Sequence, residues 1–205
     1  MQNSSQSTAH VLTVAATGAS GVLFTRELLL LLESDRRVQT VNFIASNNAL
    51  RVFAEELEIK GRNDLAQQLL GKKLKKIRQL NVDDIGASIA SGSYRTDGMI
   101  VLPCSMGTLA RIAHGLAGNL IDRAADVCLK EQRPLLLCVR ETPLNRIHIH
   151  NMDQAAEAGA TIYPLIPTFY NQPATFDEMA RQFACRVLAF LGLPQSDAYV
   201  WGAEK

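Results

Sequence analysis

The stretch Val11-Leu12-Thr13-Val14-Ala15-Ala16-Thr17-Gly18-Ala19-Ser20-Gly21 runs from a β-prone apolar segment into a glycine turn, and the leucine-rich Val22 to Glu33 follows with helical spacing. It reads as strand, turn, helix, and the unit recurs along the chain. Val38 to Ala45 is a second strand, and Ser46-Asn47-Asn48 supplies capping side chains for a helix to about Glu58, with Leu50, Phe53, Ala54 and Leu57 on one face. Met99 to Leu102, Pro134 to Val139 and Thr161 to Leu165 read as further strands, with helices over Thr108 to His114, Leu120 to Glu131 and Leu144 to Ala158. Asp64 to Ile77 is expected to be one helix, with the basic cluster Lys72-Lys73-Leu74-Lys75-Lys76 on a solvated face near its end. The last helix opens at Thr175-Phe176-Asp177-Glu178, which has capping-box spacing, and ends near Leu191 before Gly192 and Pro194. Strands alternating with helices imply right-handed crossovers, hence an α/β fold with a parallel sheet and helices on both faces.

A chain of 205 residues can bury one full core, so a single domain over residues 10–192 is expected, with polar tail residues 1–9 before it and a C-terminal tail, 193–205, after it. Lysine plus arginine (21) nearly balance aspartate plus glutamate (20), which argues against a global field for nucleic acid. No apolar run approaches the roughly 18 residues of a membrane span, and Met1 to Ala9 lacks a signal core. Cys104, Cys128, Cys138 and Cys185 show no ligand spacing, which fits a reducing cytoplasm and small buried thiols.

The candidate chemistry sits at the ends of the strands. Arg140-Glu141-Thr142-Pro143 follows an apolar strand, and reads either as a salt-bridged strand end or as an anion-handling and proton-handling pair, because ligands of open α/β sheets bind outside the carboxyl ends of the strands. Gly18-Ala19-Ser20-Gly21 opens a helix and reads either as a tight turn or as a phosphate site; it lacks full GxGxxG spacing, which favours a mononucleotide over a dinucleotide. Pro103-Cys104-Ser105-Met106-Gly107-Thr108 repeats the arrangement, and a small buried thiol is the better reading of Cys104. Arg123, Asp126 and Lys130 share one helix face, as a surface ion ladder or as two cations of a phosphate pocket. Asn81 to Thr96 is too long for a passive turn and reads as a binding or interface loop. His148 and His150 lack partners at metal-ligand spacing, so no metal is assigned. Tyr170 and Arg186 read either as a further phenol and guanidinium of a phosphate site or as packing or surface residues, and Trp201, in a tail with little other reason to order, reads as a cover for a ligand or a neighbouring subunit.

Taken in order, Gly18-Ala19-Ser20-Gly21, Ser91-Gly92-Ser93, Pro103-Cys104-Ser105, Arg123-Ala124-Ala125-Asp126-Val127 with Leu129-Lys130-Glu131, Arg140-Glu141-Thr142-Pro143 and Phe169-Tyr170 resemble the UbiX family of flavin prenyltransferases over residues 10–201. The resemblance implies a flavodoxin-like Rossmann fold, assembled as a homododecamer built from trimers with FMN between subunits. It implies metal-independent transfer of a dimethylallyl group from dimethylallyl monophosphate to N5 and C6 of reduced FMN, giving prenylated FMN for a UbiD-type decarboxylase. By matching blocks, Gly18, Ala19, Ser20, Ser46, Ser105, Met106, Gly107, Thr108 and Arg140 would contact FMN. Arg123, Lys130, Arg140, Glu141, Tyr170 and Arg186 would surround the prenyl phosphate, and Ser20, Glu56, Lys130, Glu141 and Trp201 would serve the chemistry. Two other readings are an FMN-dependent decarboxylase of the cysteine-decarboxylating type and a non-catalytic FMN carrier. The decarboxylases use a catalytic histidine and a P-x-S-A-N-T loop where this chain has Pro103-Cys104-Ser105-Met106-Gly107-Thr108.

Overall fold

Leu12 to Ala16 are all buried, as a strand covered on both faces requires, and they form most of β1 (His10–Ala16) at the centre of the sheet. The structure, a computed structural model, describes residues 9–202; of the expected N-terminal tail, 1–9, only Ala9 lies within them. The sheet has six strands in the order β3-β2-β1-β4-β5-β6, every neighbouring pair parallel. The others are β2 (Val38–Ala45), β3 (Ile77–Leu80), β4 (Gly98–Cys104), β5 (Leu135–Val139) and β6 (Thr161–Ile162).

Side chains alternate across the strands, so the core is divided in two by the sheet. Leu12, Val14, Ala16, Ile100, Leu102, Leu136 and Cys138 meet α1 (Val22–Ser34), α2 (Asn47–Leu57), α3 (Leu65–Leu70) and α7 (Phe176–Phe190). Ala15, Met99, Val101, Cys104, Leu135 and Leu137 meet α4 (Met106–Ala113), α5 (Leu120–Lys130) and α6 (Arg146–Glu157). The winding direction reverses between β1 and β4. In such sheets this reversal opens a crevice at the carboxyl ends of the two strands.

Residues 64–77 differ from the single helix expected. The helix is only Leu65–Leu70, because Gly71 takes a left-handed conformation (φ 62) that ends it, and Ile77 already belongs to β3. The lysines between are tied down by the buried Glu33, whose carboxylate accepts the N–H groups of Lys75 (2.7 Å), Lys76 (3.2 Å) and Ile77 (3.3 Å). The last strand also ends early, at Ile162, although Tyr163 and Leu165 still donate to the carbonyls of Leu137 and Val139 (2.9 Å each). Thr175 caps α7 as expected, but Glu178 takes the N–H of Ala174 rather than that of Thr175. Among the described residues, no helix is long and apolar enough to cross a membrane.

Candidate active site

Two strand-to-helix turns face each other across the crevice, and Thr17 fastens them together. Its buried hydroxyl donates to the Pro103 carbonyl (2.8 Å) and accepts the Ser105 N–H (2.8 Å), while its own N–H also reaches Pro103 O (3.1 Å). Gly18 is held against α2, where an added Cβ would lie 2.5 Å from Cβ of Asn48. Beside it Ser46 caps α2, its side chain accepting the Ala49 N–H (3.1 Å). On the β4 side Ser105 caps α4, accepting from Thr108 N–H (3.4 Å) and donating to Thr108 Oγ1 (3.2 Å). The N–H groups of Gly18 and Ser20 have no protein acceptor among the described residues. Those of Met106 and Gly107 are at the open first turn of α4, where the helix has no internal acceptor to offer. Four donors and a positive helix end thus converge on one crevice, which suits an anion.

The two helix ends are not equivalent. Gly21 offers α1 no side-chain cap; Glu56 reaches over from α2 and accepts from Gly21 N–H (3.0 and 3.1 Å) and Val22 N–H (3.1 Å). Glu56 is therefore at the predicted site, but its carboxylate is engaged in neutralising that helix end. A second network, not foreseen from sequence, braces Thr108: Arg111 Nη2 donates to its Oγ1 (3.2 Å), and Arg111 Nε pairs with the buried Asp122 (2.7 Å), which Asn119 Nδ2 also contacts (2.9 Å). The residue pair lies eleven apart on different helices, a spacing that carries no sequence signal.

Arg140 and Glu141 emerge at the end of β5, where Arg140 N–H donates to Cys104 O (3.1 Å). Both side chains are exposed, and neither forms an ion pair among the described residues, so this is not a salt-bridged strand end. They border a cavity of about 360 Å³ whose other walls include Met106, Leu144, Met152 and Leu165. A second cavity, of about 420 Å³, is lined by Thr168, Tyr170, Gln182, Arg186, Tyr199 and Trp201, with Tyr170 and Trp201 edge to face at 4.7 Å. A smaller cavity bounded by Pro164, Ile166 and Arg186 shares walls with both. Arg140, Glu141, Tyr170, Arg186 and Trp201 thereby border one run of adjoining cavities, while Ser20 and Ser105 belong to the two turns of the crevice.

Arg123 and Lys130 line none of these cavities. Helix α5 descends from the carboxyl side to the start of β5, so Lys130 precedes the strand while Arg140 follows it, and five residues of strand span about 17 Å. Lys130 pairs with the carboxylate of Glu131, and its hydrogen bond, with its charge adding to it, lowers that carboxyl from its ordinary value. Arg123 bonds Asp126 (2.5 Å) and donates to Ala90 O (3.0 Å). The 81–96 segment runs down α5 and is pinned there, Arg133 donating to the carbonyls of Gly92 (2.6 Å) and Tyr94 (2.9 Å). An added Cβ on Gly92 would meet Glu131 and come within 2.7 Å of Lys130 Nζ.

Of the other candidates, His148 is used locally, closing a capping box with Asn145 at the start of α6. Desolvation pushes the thiols of Cys128 and Cys185 up to about 11 and that of Cys104 up to about 12, so the cysteine beside Ser105 is protonated and unsuited as a nucleophile.

Comparison with known proteins bears on this arrangement. The Flavoprotein family matches residues 1–181. The flavin prenyltransferase UbiX of Salmonella typhimurium is 44% identical over 183 residues, covering 89% of this chain and 92% of its own. Among solved structures, AnUbiX (PadA1) in complex with FMN and dimethylallyl pyrophosphate superposes with a TM-score of 0.85 at 35% identity, over 96% of this chain and 99% of that one. The dodecameric FMN-dependent UbiX-like decarboxylase from Escherichia coli O157:H7 gives 0.83 at 39% identity, over 94% and 100%. With this extent of identity added to a flavodoxin-like parallel sheet and its two-turn crevice, the chain belongs to the UbiX family of flavoproteins.

Proposed function

We propose that this protein is a flavin prenyltransferase, joining a dimethylallyl group from dimethylallyl monophosphate to reduced FMN. The observation that carries the reading is the crevice at the β1/β4 reversal, where free N–H groups of two turns stand beside an unpaired Arg140-Glu141. Those donors fit the phosphate of a mononucleotide, and the apolar walls around Met106 and Leu165 fit a flat ring. Gly18, Ala19, Ser20, Ser46, Ser105, Met106, Gly107, Thr108 and Arg140 would hold FMN, whose reduced ring supplies N5 and C6 as the acceptor atoms.

The remaining work falls to side chains. Breaking the allylic C–O bond leaves its electron pair on the phosphate, and Arg140 and Arg186, with Lys130, would stabilise that anion. Tyr170 and Trp201 present aromatic faces that favour the cationic allyl fragment. Forming the second bond releases a proton from C6. Glu141 is the freer base, because its carboxylate holds only the Thr142 N–H (2.9 Å) whereas Glu56 holds two N–H groups at the end of α1. Lys130 would arrive from a second copy, since its own Arg140 is at the other edge of the sheet; the dodecameric E. coli relative supports a dodecamer, which would be built from trimers. Arg123 would act by fixing the 88–94 segment through Ala90. We further propose that the product serves a UbiD-type decarboxylase in the cytoplasm, and that residues 10–192 act as one domain.

The test is anaerobic incubation with reduced FMN and dimethylallyl monophosphate, with the flavin then weighed by mass spectrometry and the pyrophosphate run in parallel. A gain of one dimethylallyl unit is expected; no gain with either donor overturns the reading.

A further inference from the structure

After α7 the chain turns at Gly192 (φ 77) and runs back along the helix it has just left. Side chains hold it at several points. Arg37 donates to Pro194 O (2.9 Å), and Gln195 donates to Asp35 (3.0 Å). Arg181 Nε donates to the Asp197 carboxylate (2.7 Å). Gln182 grips the strap twice: its Nε2 donates to Asp197 O (3.0 Å) and its Oε1 accepts Tyr199 N–H (2.8 Å). Two residues on, Trp201 meets Tyr170 edge to face, and Tyr199 and Trp201 become walls of the 420 Å³ cavity.

Gln182 stands four residues before Arg186, so one turn of α7 presents an amide to the strap and the next a guanidinium to the cavity. Both hydrogen-bonding ends of that amide are satisfied by strap backbone, which no other side chain in the segment matches. We propose that Gln182 is a positioning residue: by bridging Asp197 and Tyr199 it holds the C-terminal strap as the outer wall of the cavity and so sets affinity for the prenyl donor. Tyr199 is the strap residue whose ring bounds the space for the donor's hydrocarbon end. The identity of the donor rests on the prenyl-transfer reading; the strap does not.

Trp201 is the only tryptophan, which makes the strap visible by itself. Because the ring is 72% exposed, fluorescence anisotropy is the suitable signal rather than emission wavelength. Without any ligand, Gln182→Leu should lower Trp201 anisotropy by about half as the segment gains nanosecond freedom. With reduced FMN and dimethylallyl monophosphate, the same variant should raise the donor KM about tenfold, for two lost hydrogen bonds, with FMN affinity kept and a smaller change in kcat. Gln182→Glu keeps the acceptor for Tyr199 N–H and should recover most of the anisotropy. Unchanged anisotropy in Gln182→Leu overturns the proposal, as does a fallen anisotropy with an unchanged donor KM. The ligand-free measurement judges the strap alone, and the wild-type mass measurement judges prenyl transfer alone.

Discussion

At the carboxyl edge of the sheet the polar groups are held in place yet left open: Ser20 and Gly18 N–H, the first turn of α4, Arg140 and Glu141. Toward the amino edge the cations are consumed, Arg133 by Gly92 and Tyr94 and Lys130 by Glu131, and Arg123, higher on α5, is consumed by Asp126 and Ala90. The first edge is shaped to receive a ligand. The second is shaped to hold a loop rigid with one exposed ion pair at its end, which suits a surface offered to another copy. On the proposed chemistry, which draws on both edges, assembly would complete the site.

The largest expected effect tests that division. Lys130→Ala and Glu141→Gln should each slow turnover about 100-fold or more. Co-assembled in equal amounts, the two variants should regain roughly a quarter of the activity, because a quarter of randomly formed sites draw each intact residue from a different copy. No recovery would place both residues in one chain's site. Next, Thr17→Val should destabilise the fold by about 2 kcal/mol in urea melts, since Ser105 N–H loses its buried acceptor, and should weaken flavin binding in titration. Gly92→Ala should displace the ends of Lys130 and Glu131, cutting turnover about tenfold while moving stability by less than about 0.5 kcal/mol.

A smaller effect concerns Asp35, whose carboxyl Arg37 holds well below the usual range through side-chain hydrogen bonding, with Gln195 adding to it. A depressed carboxylate contributes stability above its unfolded value, about 4, and loses it as pH falls from there toward the folded value. Wild type should therefore exceed Asp35→Asn by about 1 kcal/mol at pH 7 and by less at pH 3, read from urea midpoints. The smallest signal is a null one: at pH 8 the native protein should leave a thiol-reactive dye unreacted, with the four buried cysteines appearing on denaturation.

Strand and helix periodicity made the fold legible from residues 11–58 and 99–190, where apolar spacing and capping residues agree. The 64–77 region misled because a lysine-rich helical pattern outlasted its helix; one left-handed glycine and the carboxylate of Glu33, 42 residues before Lys75, decide otherwise. For the site, residue types were readable at each strand end, but spacing within an element does not say which edge of the sheet a residue reaches. That is why Lys130 and Arg140 looked like neighbours. Thr17 and the Arg111–Asp122 brace gave no signal because their partners are distant in sequence, and Glu56 was visible as a carboxylate but not as the cap that Gly21 lacks.

That cap also bears on which nucleotides the crevice admits. A dinucleotide places its pyrophosphate on the N-terminus of the helix after the first strand. Here that position already carries a fixed negative charge from Glu56, so a second phosphoryl group would meet repulsion where such folds usually give it a welcome. Preference for a mononucleotide thus follows by subtraction: Glu56, on a neighbouring helix, occupies one of the two helix ends and leaves the open first turn of α4 to a single phosphate.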